Sequence, residues 1–69
     1  MELTKEQWLQ VLNQFYNDCF DFWMREGLDE TQSKAKAKND IKNVGYYPYV
    51  PKGPAIPDEI KSEFLNSLD

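Results

Sequence analysis

The chain has no histidine and a single cysteine among 69 residues. One cysteine makes no internal disulfide, which sets the chain apart from stapled secreted miniproteins. Without histidine, and with Cys19 alone, a structural zinc site has no N and S ligand set. The same absence removes histidine acid/base chemistry and the Ser-His and Cys-His nucleophile pairs. The three glycines, Gly27, Gly45 and Gly53, form no phosphate-cradling loop. No apolar run exceeds a few residues, so no segment is expected to span a membrane. Met1-Glu2-Leu3 leads at once into polar residues, so no signal peptide is expected and the protein is read as cytoplasmic. These absences predict no enzyme, no cofactor and no metal.

What is present is an acidic, aromatic-rich small chain. Net charge is −4 and ten residues are aromatic: two Trp, four Tyr and four Phe. The length allows one domain, taken as residues 1–69. A domain near 60 residues buries only about 60% of its unfolded surface. Each aromatic ring that does become buried hides roughly 150–250 Å², which partly offsets the small size.

Three helices and one extended segment are expected. The first covers about 4–26. Thr4 and Gln7 have capping-box spacing, Leu3 and Trp8 that of a hydrophobic staple, and Gly27 can end the helix in the left-handed region. Wound at about 100° per residue, Trp8, Val11, Leu12, Phe15, Tyr16, Cys19, Phe20, Phe22, Trp23 and Leu9 share one arc of about 180°. Met24 lies off that arc. The second helix covers about 29–44, opened by Asp29 and Gln32 and ended by Gly45, with a narrow apolar face of Ala37, Ile41 and Val44. The third covers about 57–68, with Pro57 at its first position and a stripe of Ile60, Phe64 and Leu68 beside Leu65. The fold class is all-α: a small three-helix domain.

Pro48, Pro51, Pro54 and Pro57 recur every third residue, the polyproline II repeat. That spacing predicts an extended 46–57 segment laid along the aromatic face of the first helix. Such packing resembles the pancreatic-polypeptide hormones, where spaced prolines dock on a tyrosine-bearing helix. The resemblance is one of packing and implies no function. In a second reading, Tyr47-Pro48-Tyr49-Val50-Pro51-Lys52 is an exposed ligand for a proline-recognising domain.

Each candidate site has a plainer counterpart. Tyr46, Tyr47 and Tyr49, with Trp23 and Met24, are candidate anchors for a protein partner, or contacts with the chain's own helix. Lys34, Lys36, Lys38 and Lys42 are candidate phosphate contacts for nucleic acid. The plainer reading, a solvated helix face, is favoured over this, and net charge −4 does not favour nucleic acid. Cys19 reads as a small buried hydrophobe rather than a reactive thiol. Asp18, Asp21, Glu26, Asp29 and Glu30 read as surface charge. The expected function is a non-enzymatic protein–protein interaction module, a regulator or inhibitor of a partner protein. A homo-oligomer would also cover the surplus apolar arc. The alternative is a nucleic-acid accessory protein using the lysine-rich second helix.

Overall fold

A computed structural model describes residues 2–68; Met1 and Asp69, the ends of the expected 1–69 unit, lie outside the described residues. The chain forms three helices, α1 (Lys5–Arg25), α2 (Glu30–Asn43) and α3 (Asp58–Ser67). All-α is therefore the fold class. None of the helices is long and apolar enough to cross a membrane.

Local signals place the first two helices. The Thr4 hydroxyl accepts from the Gln7 N–H at 3.1 Å, and the Gln7 side chain accepts from the Thr4 N–H at 2.9 Å. Asp29 and Gln32 repeat this reciprocal box at 2.7 and 3.3 Å. Each box satisfies two of the donors that a helix start leaves unpaired. At the end of α1, Gly27 takes φ +98°. Its N–H bonds the Met24 carbonyl and the Leu28 N–H bonds the Trp23 carbonyl. This is the double closure of a Schellman motif, and it turns the chain into α2 within four residues. So short a connection makes α1 and α2 an antiparallel hairpin.

The other two expected helix ends are corrected. Gly45 does not take the left-handed conformation; α2 stops because Val44 turns extended, at φ −75° and ψ 128°. Gly45 instead uses its carbonyl to accept from Ile56 N–H at 3.0 Å. Pro57 is the residue before α3 rather than its first, with ψ 133°.

The core is built around Trp8 and Leu12 of α1, Ile41 of α2, Ile56 of the segment before α3, and Phe64 of α3. Leu12 and Ile41 are completely buried. On α2, Ser33, Ala37 and Ile41 recur every fourth residue and are all buried. The short side chains of Ser33 and Ala37 let α2 lie close upon α1. Clips then fix α3. Lys61 Nζ donates to the Val44 carbonyl at 2.7 Å, placing a cation on the negative end of α2. Lys5 and Glu63 pair at 2.8 Å, an exposed bridge that contributes little.

Ser33 was absent from the expected apolar face, yet it is fully buried and its Oγ has no partner. A buried hydroxyl left unpaired costs on the order of 1–3 kcal/mol. Ser33→Ala removes that oxygen without altering the backbone. The variant is expected to raise the urea midpoint, by about 1 kcal/mol of stability; a lower midpoint would show that the hydroxyl is satisfied in solution.

The proline segment departs most from expectation. It does not run as an extended polyproline strut. Tyr46 and Ala55 form an antiparallel bridge, with Tyr47 N–H to the Pro54 carbonyl at 2.9 Å and Ile56 N–H to the Gly45 carbonyl at 3.0 Å. Residues 46–55 thus double back as a closed loop. The physical reason is that polyproline II has no internal hydrogen bonds, so two non-proline N–H groups that find acceptors favour the turn. The prolines enter this pairing only through a carbonyl, the one backbone hydrogen-bonding group they possess. The regular three-residue polyproline repeat of the hormone-like packing is therefore not the backbone used.

Candidate interaction surface

The loop lies against α1 through its tyrosines. Tyr47 meets Trp8 edge-on, with ring centroids 6.0 Å apart and planes at 64°. Tyr49 meets Phe15 at 6.4 Å and 83°, and the two tyrosines meet each other at 6.0 Å and 75°. Edge-to-face contacts of this kind are worth about 0.5–1.5 kcal/mol beyond buried area. The Tyr49 hydroxyl also donates to Asp18 Oδ2 at 2.7 Å. Asp18, read from sequence as surface charge, is thus a tether for the loop.

That tether has a pH signature. Burial, then the Asp18 hydrogen bond and charge, hold the Tyr49 hydroxyl above the ordinary tyrosine value of 10. A phenol kept neutral in the fold contributes stability that is fully present below pH 10 and is lost as pH rises through the raised folded value. Wild type is therefore expected to lose loop order in strong alkali more steeply than Tyr49→Phe. Tyrosinate absorbance and urea midpoints between pH 8 and 12 check this; parallel curves for the two proteins would contradict it.

The loop covers α1 incompletely. Tyr46 is 65% exposed, Phe22 52%, Val50 46% and Tyr49 44%. Leu3 and Val11 of the α1 side and Tyr47 and Val50 of the loop wall a groove of about 360 Å³, with Glu2, Gln7 and Gln10 on its polar lining. At about 100° per residue, Val11, Phe22 and Phe15 fall on the same edge of α1, so the groove and Phe22 share one side of the helix.

The other candidate anchors lie elsewhere. Trp23 is half-buried and its indole N–H donates to Asp40 Oδ2 at 2.9 Å, an α1–α2 clamp. Phe22 meets Trp23 edge-on at 5.0 Å. Met24 is 42% exposed but sits about 140° around α1 from Val11, away from the tyrosine edge. Of the five expected anchors, the fold brings Tyr47 and Tyr49 together against α1, leaves Tyr46 exposed on the loop, and uses Trp23 to hold α2.

The lysines also separate. Lys34 pairs with Glu30 at 3.2 Å, and Lys36 Nζ lies 5.5 Å from the centre of the Trp23 ring. Lys38 and Lys42 line a crevice between α2 and α3. Lys34, Lys38 and Lys42 stay one turn apart along α2, and Lys36 stands off that row, over Trp23.

Cys19 is partly buried, and its thiol is pushed up to about 11, first by burial and then by the charge and hydrogen bond of Asp40. A thiol held protonated in this way is a poor nucleophile at neutral pH. Among the described residues no three His, Cys, Asp or Glu side chains are grouped to hold a metal ion. Sequence reading gives Asp18 as surface charge, Leu3 and Val11 as helix packing and Val50 only within the proline-containing ligand run, and does not single out Asp40. The two carboxylates gave no signal beyond charge, whereas Val50 could have been flagged as an apolar residue inside a turn. Compared with protein-family models, curated proteins and solved structures, the chain matches none.

Proposed function

We propose that this chain is a non-enzymatic protein–protein interaction module, which acts by presenting the α1 edge and the 46–53 loop to another protein. The supporting observation is the apolar surface left on α1 and the loop: Phe22, Tyr46, Tyr49 and Val50 are each more than 40% exposed, and Leu3, Val11, Tyr47 and Val50 wall a groove between the two. Tyrosine supplies wide contact area at low entropic cost, and exposed apolar edges rimmed by polar residues are typical docking sites. The tyrosines are held by Trp8, Phe15 and Asp18, so less ordering is required on binding.

The nucleic-acid alternative has less support, because Lys34 and Lys36 are engaged within the chain. The test is capture from a lysate of the source cells on immobilised wild type and on Val50→Glu. Val50 is exposed, so the fold should survive the change, and circular dichroism checks this. A polypeptide retained by wild type and lost by Val50→Glu supports the proposal. Equal retention by both, or retention of nucleic acid alone, overturns it.

A further inference from the structure

We propose that the groove between α1 and the loop is a homodimer interface, in which the loop tip of one copy seats in the groove of a second copy. The assignment rests on the reading of α1 and the loop as a docking surface and names its occupant. The groove, about 360 Å³, has apolar walls of Leu3, Val11, Tyr47 and Val50, and Glu2 is the one charged residue lining it. At its side the chain turns through Val50-Pro51-Lys52, where Lys52 takes φ 58°. Val50 is 46% exposed and Lys52 is exposed. One short stretch thus presents an apolar side chain and, two residues on, a cation. The groove offers apolar walls and a carboxylate. Among the described residues neither Glu2 nor Lys52 forms an ion pair with another side chain. The surface is therefore complementary to itself in both hydrophobicity and charge, as a two-fold interface requires.

A two-fold axis beside Val50 sets each Val50 against the other copy's apolar wall and brings each Lys52 toward the other copy's Glu2. Contacts across such an axis are reciprocal, so the ion pair occurs twice. Gln7 and Gln10, on the polar lining of the groove, stay at the rim, where interfaces are polar and wet. The area required is modest. An interface at the small end of the range buries roughly 500 Å² per copy, about a tenth of the 4967 Å² surface of the chain. Net charge −4 on each copy opposes association. A small interface working against that repulsion gives a dimer that forms at micromolar to millimolar concentration.

The test is sedimentation equilibrium of the full chain from micromolar to millimolar concentration, with ¹⁵N shifts recorded over the same range. A monomer–dimer equilibrium is expected, with concentration-dependent shifts centred on Leu3, Val11, Tyr47 and Val50. Val50→Glu should stay monomeric, with its fold checked by circular dichroism. Glu2→Lys and Lys52→Glu should each weaken the dimer about fivefold, because two exposed pairs are lost at once. The double exchange Glu2→Lys/Lys52→Glu should restore it. Glu2→Lys separates pairing from general repulsion: exchanging one negative for one positive charge takes the net charge from −4 to −2, which by itself would tighten the dimer. Wild type that stays monomeric at millimolar concentration, tighter association of Glu2→Lys, or no recovery in the double variant would overturn the proposal. A monomeric wild type that still retains a polypeptide through Val50 overturns the dimer alone and leaves the docking of another protein standing.

Discussion

Trp8→Ala is expected to leave the protein largely unfolded at 25 °C. Trp8 is only 3% exposed and is the largest side chain of the core. Removing a buried Trp costs about 3–5 kcal/mol. A single core in a chain this short rarely supplies more than about 3–5 kcal/mol in total. The loss has a second component, because Tyr47 rests edge-on against the same indole and Tyr47 carries the loop. Trp8→Phe keeps an aromatic surface and should fall within the roughly 0.5–3 kcal/mol of ordinary substitutions. Urea unfolding followed by circular dichroism distinguishes the two variants. A cooperative transition for Trp8→Ala near the wild-type midpoint would show that the core does not depend on this residue.

The second large effect is expected at Gly53. A Cβ built there lies 2.6 Å from the Cβ of Tyr47, 3.1 Å from Val50 Cγ2 and 3.3 Å from the Tyr47 carbonyl oxygen. The first and last of these atoms belong to or adjoin the backbone and cannot swing away. Gly53→Ala therefore forces the two sides of the loop apart, at a cost of about 1–3 kcal/mol. Helical content should persist while Tyr47–Trp8 and Tyr49–Phe15 ring contacts disappear from nuclear Overhauser spectra. Gly45→Ala is the control: nothing lies within 4 Å of its added Cβ and its φ is not positive. It should stabilise by about 0.4–1 kcal/mol through the unfolded chain. Equal effects at the two glycines would contradict the loop packing described here.

These two residues also show what could be read from sequence. Trp8 was legible because helix periodicity, Thr4–Gln7 spacing and the Gly27 stop are local signals, each carried by residues within a few positions of one another. The same holds for Asp29–Gln32. The loop was not legible in this way. A three-residue proline interval suits both an extended strut and a turn, and the choice was made by partners distant in sequence: Tyr46 with Ala55, Tyr47 with Pro54 and Trp8, Tyr49 with Asp18. The run Pro51-Lys52-Gly53-Pro54 did carry a turn signal, and Lys52 at φ 58° marks that turn. Ser33 was hidden for a different reason: a hydroxyl reads as polar, and only the close approach of two helices buries it. Among the candidate anchors, the tyrosines could be named but not separated into those that hold the loop and the one, Tyr46, that faces outward.

The choice between a covered and an uncovered α1 edge decides the functional reading. Its most direct measurement is solvent paramagnetic relaxation on the dilute protein, read at side-chain methyl and ring protons. The expected result is strong attenuation at Phe22, Tyr46 and Val50, with Trp8, Leu12 and Ile41 shielded. Attenuation at Phe22 and Val50 as weak as at Leu12 would mean that the chain hides this edge by itself, and a docking role for it would be contradicted.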